Sequence, residues 1–311
     1  MSAAAPRLRY LSAADVDALL PPLGRRLEIV RETFAALAAG AVSAPPATCL
    51  SPRPTGFADA MPAYSAQLDL SSVKWVAGDE LNRSRGLPYI SGLILLSEGA
   101  SGLPVAIIEA GAITAARTAA VSAAAVDALA APGWSRVALI GHGRQARAHV
   151  RALRSLNPDA AFRVASRRPP GPEPGIEPAA SPREAVAGAE VVITAIPLSA
   201  RLRPPLSAAW LDPDALVLPL DDDACLGADV LATAAHFAVD DVDRYRRDRQ
   251  RGLFAEWPEP DGTVGAALTA PPAAEGLRVC MNQGLGAMDA PLADAVWRAA
   301  EERGAGLVLE R

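Results

Sequence analysis

The stretch that most constrains this 311-residue chain runs from Val137 to Ala146. It begins with the apolar run Val-Ala-Leu-Ile, turns at Gly-His-Gly, and continues as an Ala/Arg/Leu-rich segment to about Leu156. An apolar strand, a glycine turn and a helix form the first half of a βαβ unit, and the order G-x-G-x-x-A is the dinucleotide fingerprint. The motif predicts an α/β domain of the Rossmann type.

Residues of this motif have separate physical roles. Gly141 lets the chain turn sharply, Gly143 lets backbone N–H groups approach a pyrophosphate, and Ala146 is small enough for the helix to pack against the strand. Phosphates are then expected at the helix N-terminus, beside Arg144 and Gln145, where unpaired N–H groups favour negative charge. Such glycine turns also occur in proteins that bind no ligand there. Here the sequence clearly predicts a strand before the turn and a helix after it, and this context favours cofactor binding.

The composition narrows the class of protein. The chain length predicts about two domains. The net charge of -5 indicates neither nucleic acid nor an anionic membrane as a partner. The N-terminus has no apolar signal-peptide core and no run of 18 apolar residues occurs, so we expect a cytoplasmic protein. Cys49, Cys225 and Cys280 are few and widely spaced, which predicts buried free thiols and no metal site.

Lys74 is the only lysine in the chain, because lysine and arginine total 30 and the other 29 are arginines. It lies in Ser72–Ala77, which alternates like a strand. Arginine stays protonated at any relevant pH, whereas a desolvated lysine can shift its pKa and exchange a proton. We therefore predict a catalytic lysine, with a purely structural lysine as the alternative.

Two arginines are candidates for holding a carboxylate. Arg53 lies near the end of the proline-rich stretch 44–54, which is predicted to have no regular secondary structure. It is either a ligand of a carboxylate or a solvated loop residue. Arg117 and Thr118 are predicted in the first turn of an alanine-rich helix that opens at Thr114. A cation at a helix start opposes the helix dipole, and this local cost suggests a use such as gripping a carboxylate.

The later strands predict more of the cofactor site. A second strand ends in Ser166-Arg167-Arg168, where an NAD enzyme usually has an acidic residue, so NADP(H) is favoured over NAD(H), with an ordinary basic loop as the alternative. A third strand brings Thr194, Ala195 and Ile196 to the cofactor, and a fourth ends at Leu220. Among the aspartates that follow the fourth and fifth strands we expect one or two functional residues, with Asp222 as the catalytic candidate.

Several segments together resemble the ornithine cyclodeaminase/μ-crystallin family, and the resemblance covers nearly the whole chain. They are Met61-Pro62-Ala63 with Val73-Lys74, the joint Thr114–Ala120 (T-A-A-R-T-A-A), the fingerprint 141–146, and the ending Gly284–Asp289 with the helix after it. The resemblance implies a Rossmann domain, predicted over residues 117–282, inserted into an α+β substrate domain that is built from residues 1–116 and 283–311 and also forms a homodimer.

The resemblance also implies chemistry at the α-carbon of an amino acid, with hydride transfer to or from NAD(P) and an imine intermediate. It makes Lys74 the acid/base at the imine, gives Arg53 and Arg117 the α-carboxylate, and adds Met61 to the substrate site. Alternatives are an ornithine cyclodeaminase-type ammonia lyase and a non-catalytic NADP-binding protein. Retention of the lysine and both arginines argues against a pure binder.

One departure from the cyclodeaminases limits the substrate. These enzymes carry an aspartate, then Gly-Lys and Glu, after the fourth strand, whereas this chain has Leu220-Asp-Asp-Asp-Ala-Cys225. Ring closure on ornithine is therefore not expected. Together with Val239-Asp-Asp-Val-Asp243, the stretch partly resembles the branch that oxidises N-(2-amino-2-carboxyethyl)-L-glutamate and releases diaminopropionate. Reduction of cyclic or linear imino acids is the other expectation.

Overall fold

The computed structural model describes residues 7–197, 200–272 and 275–310. The chain divides into two compact units. The first contains residues 1–117 and 285–311, and the second contains residues 118–284. These boundaries differ by one and two residues from those expected at 116/117 and 282/283, and they place Arg117 in the first unit.

The first unit is an eight-stranded sheet with helices. Its elements are β1 (Arg7–Leu11), α1 (Ala13–Leu19), α2 (Leu23–Ala38), β2 (Val42–Ser43), β3 (Thr48–Arg53), β4 (Gly56–Ser65), β5 (Leu70–Asp79), a 3₁₀ turn (Glu80–Arg85), β6 (Ile90–Glu98), β7 (Pro104–Glu109), a 3₁₀ turn (Gly286–Met288), α9 (Asp289–Arg303) and β16 (Leu307–Glu310). The strands follow the order β16-β1-β7-β6-β5-β4-β2, with β3 also paired to β4. All described pairs are antiparallel except β1 with β7.

Alternation along the strands builds the core of this unit. In β6, Ile94 and Leu96 are fully buried, whereas Leu93 between Gly92 and Ile94 is 44% exposed, as expected for side chains that point to opposite faces of a sheet. Leu292 and Val296 of α9 belong to the same apolar cluster as these strand residues. The C-terminal helix is therefore part of the core of the first unit.

The second unit is a parallel sheet in the order β10-β9-β8-β11-β12-β15-β13-β14, which confirms the Rossmann-like α/β prediction. Its elements are β8 (Arg136–Ile140), α4 (Arg144–Leu156), β9 (Ala161–Ala165), β10 (Ile176–Pro178), α5 (Pro182–Val186), β11 (Val191–Thr194), a 3₁₀ turn (Ala208–Trp210), β12 (Leu216–Pro219), α6 (Ala228–Thr233), β13 (His236–Val239), α7 (Val242–Gln250), β14 (Gly262–Thr263), α8 (Val264–Thr269) and β15 (Arg278–Met281). The strands β8, β11 and β12 are nearly continuous buried apolar runs, as parallel strands covered on both faces must be.

Helix α3 (Ala110–Leu129) begins four residues before the expected Thr114, because the Glu109 carboxylate accepts a hydrogen bond from the Ala112 N–H and satisfies an N-terminal donor. Arg117 is therefore in the interior of the helix, and the prediction that it opposes the dipole in the first turn is wrong. The helix is long and apolar enough to cross a membrane by length and composition alone, but 78% of its apolar stretch is buried inside the protein, as in a core helix.

Two other sequence expectations are wrong. The stretch 44–54, expected to be irregular, contains strand β3. Among the described strands β3 pairs only with β4, so it tolerates Pro52, whose missing N–H would interrupt an interior strand. Cys49 lies on that strand and is exposed, whereas Cys225 and Cys280 are buried as expected.

Candidate active site

The glycine loop of the second unit has the geometry that the fingerprint predicts. Gly141 adopts φ +102°, a conformation that L side chains rarely adopt, and a Cβ placed there would lie 2.5 Å from the carbonyl oxygen of Ala195. Ala146 is fully buried at the base of α4. The loop is therefore held against the end of β11 by backbone that only glycine permits.

The space above the helix suits a dinucleotide. Gly143 is the N-cap residue of the 13-residue helix α4, which has no side-chain cap, and a Cβ at Gly143 would meet no protein atom within 4 Å. Arg144 is exposed at the first helical position, and the side-chain oxygen of Gln145 is buried without a hydrogen-bond partner. Uncapped N–H groups at a helix start favour a phosphate, so these residues fit the pyrophosphate of a nicotinamide cofactor.

The end of β9 carries the residues expected at the ribose. Arg167 and Arg168 are exposed, and the Ser166 hydroxyl donates to the Arg168 carbonyl at 2.6 Å. This bond closes a tight turn that leaves both guanidinium groups available to solvent. The turn carries two cations and no carboxylate.

The first of the three consecutive aspartates is hydrogen-bonded to the neighbouring loops. Asp221 is 1% exposed and accepts hydrogen bonds from the Thr194 hydroxyl at 2.5 Å, the Ile196 N–H at 2.9 Å and the Cys225 thiol at 3.2 Å. The hydroxyl of Thr194 is thus already used inside the protein, and the Leu220 N–H donates to the Thr194 carbonyl at 3.0 Å. This network fixes the loops after β11 and β12, including Ala195.

Asp222 is the aspartate of this group with unusual properties. It adopts φ +50°, an uncommon and strained conformation for a residue other than glycine. Burial raises the pKa of its carboxyl to about 6; the nearby Arg244 opposes this shift, and the carboxylates of Asp248 and Asp221 add to it. Asp223, by contrast, pairs with Arg201 at 3.0 Å. An acid that titrates near neutrality can exchange protons in catalysis.

Arg244 and Gln283 complete the surroundings of Asp222. The Gln283 amide donates to Asp248 Oδ2 at 3.1 Å and to Asp222 Oδ1 at 3.5 Å. Arg244 donates to the Gln283 carbonyl at 3.2 Å and to the Gly284 carbonyl at 2.8 Å. The chain after β15 is therefore tied to α7, and this tie places the Gln283 side chain beside the strained aspartate.

The first unit contains a buried cluster of three charged side chains. Lys74 of β5 is 2% exposed and its Nζ lies 2.7 Å from Asp289 Oδ2. Arg117 of α3 is 6% exposed, and its Nε donates to Asp289 Oδ1 at 3.2 Å. The Nη1 atom of Arg117 is buried without a hydrogen-bond partner. A buried guanidinium with a free donor is ready to take a carboxylate oxygen.

The other two substrate-site candidates, Met61 and Arg53, lie at different distances from this cluster. Met61 of β4 pairs directly with Lys74 of β5, and its Cβ and carbonyl would be 3.4 Å from a Cβ at Gly286, so the turn that contains Gly286 packs directly against Met61. Arg53 is exposed at the end of β3, opposite Gly56, which pairs with Asp79 at the far end of β5. The structure does not bring Arg53 into the Lys74–Arg117–Asp289 cluster.

Three residues beside the predicted ones were not found from the sequence. Asp289 follows a glycine-rich turn, and no local pattern connects it to residues 117 and 74. Arg244 is one of 29 arginines, and Gln283 is an ordinary amide in a loop. Thr118, predicted at the cofactor, is buried, and its carbonyl accepts a hydrogen bond from Asn282 at 3.2 Å.

Comparison with known proteins identifies the family. The model of the ornithine cyclodeaminase/mu-crystallin family matches residues 10–244. The chain belongs to the ornithine cyclodeaminase/mu-crystallin family. The ketimine reductase mu-crystallin of Mus musculus is 30% identical over 221 residues, which cover 66% of this chain and 68% of that protein. An uncharacterized cyclodeaminase of Sinorhizobium fredii is 28% identical over 98% of this chain and 99% of its own length.

Solved structures confirm the fold. An archaeal alanine dehydrogenase dimer with bound NAD superposes with a TM-score of 0.84 at 23% identity, covering 98% of this chain and 99% of that one. The Δ1-pyrroline-2-carboxylate reductase of Thermococcus litoralis, in complex with NADH and L-proline, gives a TM-score of 0.83 at 22% identity, covering 96% and 99%. Membership of the family, which includes relatives named as reductases, supports the predicted class of enzyme, an oxidoreductase with a nicotinamide cofactor.

Proposed function

We propose that this family member transfers a hydride between a nicotinamide and the α-carbon of an amino acid or its imine. The observation that carries the proposal is the buried pair Lys74 and Arg117, which share Asp289 and leave one guanidinium N–H without a partner. Two buried cations with a free donor suit a small carboxylate that bears a nitrogen group. Relatives named ketimine reductase and Δ1-pyrroline-2-carboxylate reductase support a C=N substrate.

In the proposed reaction Arg117, Lys74 and Asp222 have separate roles. A nicotinamide cofactor, held through its pyrophosphate by the loop 141–146, would supply a hydride to the imine carbon or accept one in the reverse direction. Arg117 holds the α-carboxylate through its free Nη1, which fixes the plane of the C=N bond. As the π bond breaks, the Lys74 ammonium gives a proton to the nitrogen, and solvent restores the lysine. Asp222 is the second titratable candidate, because its carboxyl changes charge near pH 6.

The form of the cofactor is a finer proposal. The turn after β9 presents two exposed guanidinium groups and no carboxylate, which favours a 2′-phosphate over a free 2′-hydroxyl. We therefore propose NADP(H) as the preferred cofactor. Structural neighbours with NAD or NADH supply the competing expectation.

A homodimer is the proposed assembly. On the outer face of the first unit's sheet, Trp75 and Leu93 pair directly across β5 and β6 and are 46% and 44% exposed. Leu50 on β3 is 52% exposed. Adjacent large apolar side chains of this kind mark protein contacts, and the alanine dehydrogenase of similar fold is a dimer. Light scattering on the purified protein measures the mass directly.

The experiment that tests the function is a substrate screen read by nicotinamide absorbance. Ketimines and cyclic imino acids are offered with NADPH and NADH, and amino acids, including N-(2-amino-2-carboxyethyl)-L-glutamate, are offered with the oxidised forms. We expect turnover with a carboxylate next to the C=N or CH–NH centre and none with the matching amide. No turnover with any carboxylate in either direction refutes the proposal.

Ornithine is included to test ring closure. The chain lacks Gly-Lys after the fourth strand and has the buried Cys225 there, hydrogen-bonded to Asp221. We expect no proline by mass spectrometry after incubation with ornithine and catalytic NAD(P). Rapid proline formation assigns the protein to the cyclodeaminases instead.

A further inference from the structure

The charge cluster of the first unit depends on a residue from the far end of the chain. Asp289 is the first residue of α9 and is 1% exposed. Its two carboxylate oxygens go to different cations: Oδ2 lies 2.7 Å from Lys74 Nζ, and Oδ1 lies 3.2 Å from Arg117 Nε. One carboxylate therefore joins a strand, a helix in the middle of the chain and the C-terminal helix.

The two cations of this cluster share one carboxylate, and all three side chains are at most 7% exposed. The next buried carboxylate on the helix, Asp294, is paired with Arg298 at 2.9 Å. A buried donor that lacks a hydrogen-bond partner is unfavourable, and more so when it belongs to a charged group. The Nη1 atom of Arg117 is such a donor, and it marks where the cluster favours the negative charge of a ligand.

We propose that Asp289 is a positioning residue that aligns the Lys74 ammonium with the Arg117 guanidinium and makes the site selective for one carboxylate. By occupying Nε of Arg117, it fixes the plane of the guanidinium and turns Nη1 toward the ligand. By contacting Nζ of Lys74, it holds the ammonium beside the same point. This proposal rests on the proposed function for the reaction step, and on the unpartnered Nη1 of Arg117 for the anion preference.

The central test is Asp289→Asn, which keeps the shape and removes the charge. We expect kcat to fall on the order of 10²-fold, because the lysine and arginine lose their shared orientation. The inhibition constant of propionate, a small carboxylate, is expected to fall about tenfold, because the site becomes more positive. Propionamide, which has the same shape without charge, should inhibit neither protein.

Two further variants separate positioning from stability. Asp294→Asn removes another buried carboxylate from the same helix, together with its pair to Arg298. It should lower the melting temperature and leave kcat and propionate inhibition unchanged. Asp289→Glu retains the charge and should recover part of the lost turnover. Equal kcat and equal propionate inhibition in Asp289→Asn and the wild type would show that Asp289 is only structural.

A binding measurement tests the anion site without depending on enzyme turnover. Propionate should raise the melting temperature of the wild-type protein, and propionamide should not. If the wild type turns over no substrate but propionate still protects it, the proposed function fails and the anion site stands. If Asp289→Asn does not fold, Asp289→Glu takes its place in the kinetic comparison. Absence of propionate protection in the wild type overturns the anion site.

Discussion

The glycine loop of the second unit and the charge cluster of the first unit are both suited to an anion, but they are built differently. The loop uses backbone N–H groups within the six residues from Gly141 to Ala146. The cluster uses three side chains that are contributed by β5, α3 and α9, and Arg117 and Asp289 are 172 positions apart in the sequence. The glycine loop is therefore encoded by one short stretch of sequence, whereas the charge cluster forms only when the chain has folded.

This difference also predicts how each site responds to substitution. A backbone site depends on φ angles and on empty space, so an added methyl group should disturb it more than a change of charge. A side-chain site depends on charge balance and orientation, so a substitution that keeps shape but changes chemistry should disturb it most.

Substitution of Lys74 should have the largest effect. Lys74→Arg keeps the positive charge but cannot exchange a proton near neutrality, so kcat should fall about 10²–10⁴-fold. Cofactor affinity, measured by calorimetry, should be nearly unchanged, because the glycine loop belongs to the other unit. Lys74→Ala should be no more active. A Lys74→Arg enzyme with near-normal kcat and a raised KM would reduce the lysine to a counter-charge.

Asp222→Asn should change the pH dependence of stability. The folded-state pKa is about 6, above the ordinary value of 3.8, so the unfolded chain loses this proton first as the pH rises. Between pH 4 and 6 the wild type therefore loses about 3 kcal/mol of stability, which is fully present only below pH 4. Asparagine cannot ionise, so the variant should be the more stable protein at pH 8.

Urea unfolding at pH 5 and pH 8 measures this difference. The stability gap between Asp222→Asn and the wild type should widen from the lower to the higher pH. Asp221→Asn is the comparison, because Asp221 accepts from three donors and its loss should destabilise at both values. A gap of the same size at both pH values would contradict the assignment of Asp222 as the titrating group.

A methyl group tests the backbone site at two positions. In Gly141→Ala the new Cβ meets the Ala195 carbonyl at 2.5 Å in a left-handed conformation, so we expect about 1–3 kcal/mol of lost stability and weaker cofactor binding. In Gly143→Ala the Cβ meets no protein atom, so stability should hold while cofactor affinity falls. Melting temperature and calorimetry on both variants measure this contrast. Unchanged affinity in Gly143→Ala would place the cofactor elsewhere.

The smallest effect concerns the choice between cofactors. Arg167→Asp exchanges an exposed cation in the turn after β9 for the acidic residue that suits a ribose 2′-hydroxyl. The ratio of NADPH to NADH affinity should fall by about tenfold or more, which corresponds to one charge-assisted hydrogen bond. Arg151→Asp, an exposed arginine on α4, controls for net charge. Equal affinities of the wild type for both cofactors would refute the preference.

The sequence was informative wherever structure depends on neighbours in the chain. The strand and helix around the fingerprint occur at Arg136–Ile140 and Arg144–Leu156, close to their predicted positions, and the capping box of Ser12 with Asp15 is present. These features follow from apolar runs, glycine and short polar side chains within a few residues of one another. Lys74 is identified as a candidate because it is the only lysine in the sequence, and the structure buries it in a cluster with Asp289 and Arg117.

The sequence was uninformative where distant residues decide. The resemblance gives Arg53 and Arg117 a shared carboxylate. Strand pairing instead places Arg53 opposite Gly56, which pairs with the last residue of β5, Asp79, five positions beyond Lys74. Asp289 was missed because a carboxylate after a glycine turn has no signature that identifies its partners. The early start of α3 was missed because its cap is Glu109, which the sequence presents as the end of a strand.

The contribution of α9 and β16 to the first unit has a consequence for synthesis on the ribosome. Strand β1, near the start of the chain, pairs with β16, and Asp289 reaches back to Lys74. Since Asp289 is synthesised after Lys74, Arg117 and the whole parallel sheet, a nascent chain holds the lysine and the arginine without this counter-charge until residue 289 has emerged. Contacts of such long range close slowly. We expect chains truncated before Asp289 to be sensitive to protease in residues 7–117, even when the parallel sheet has already formed.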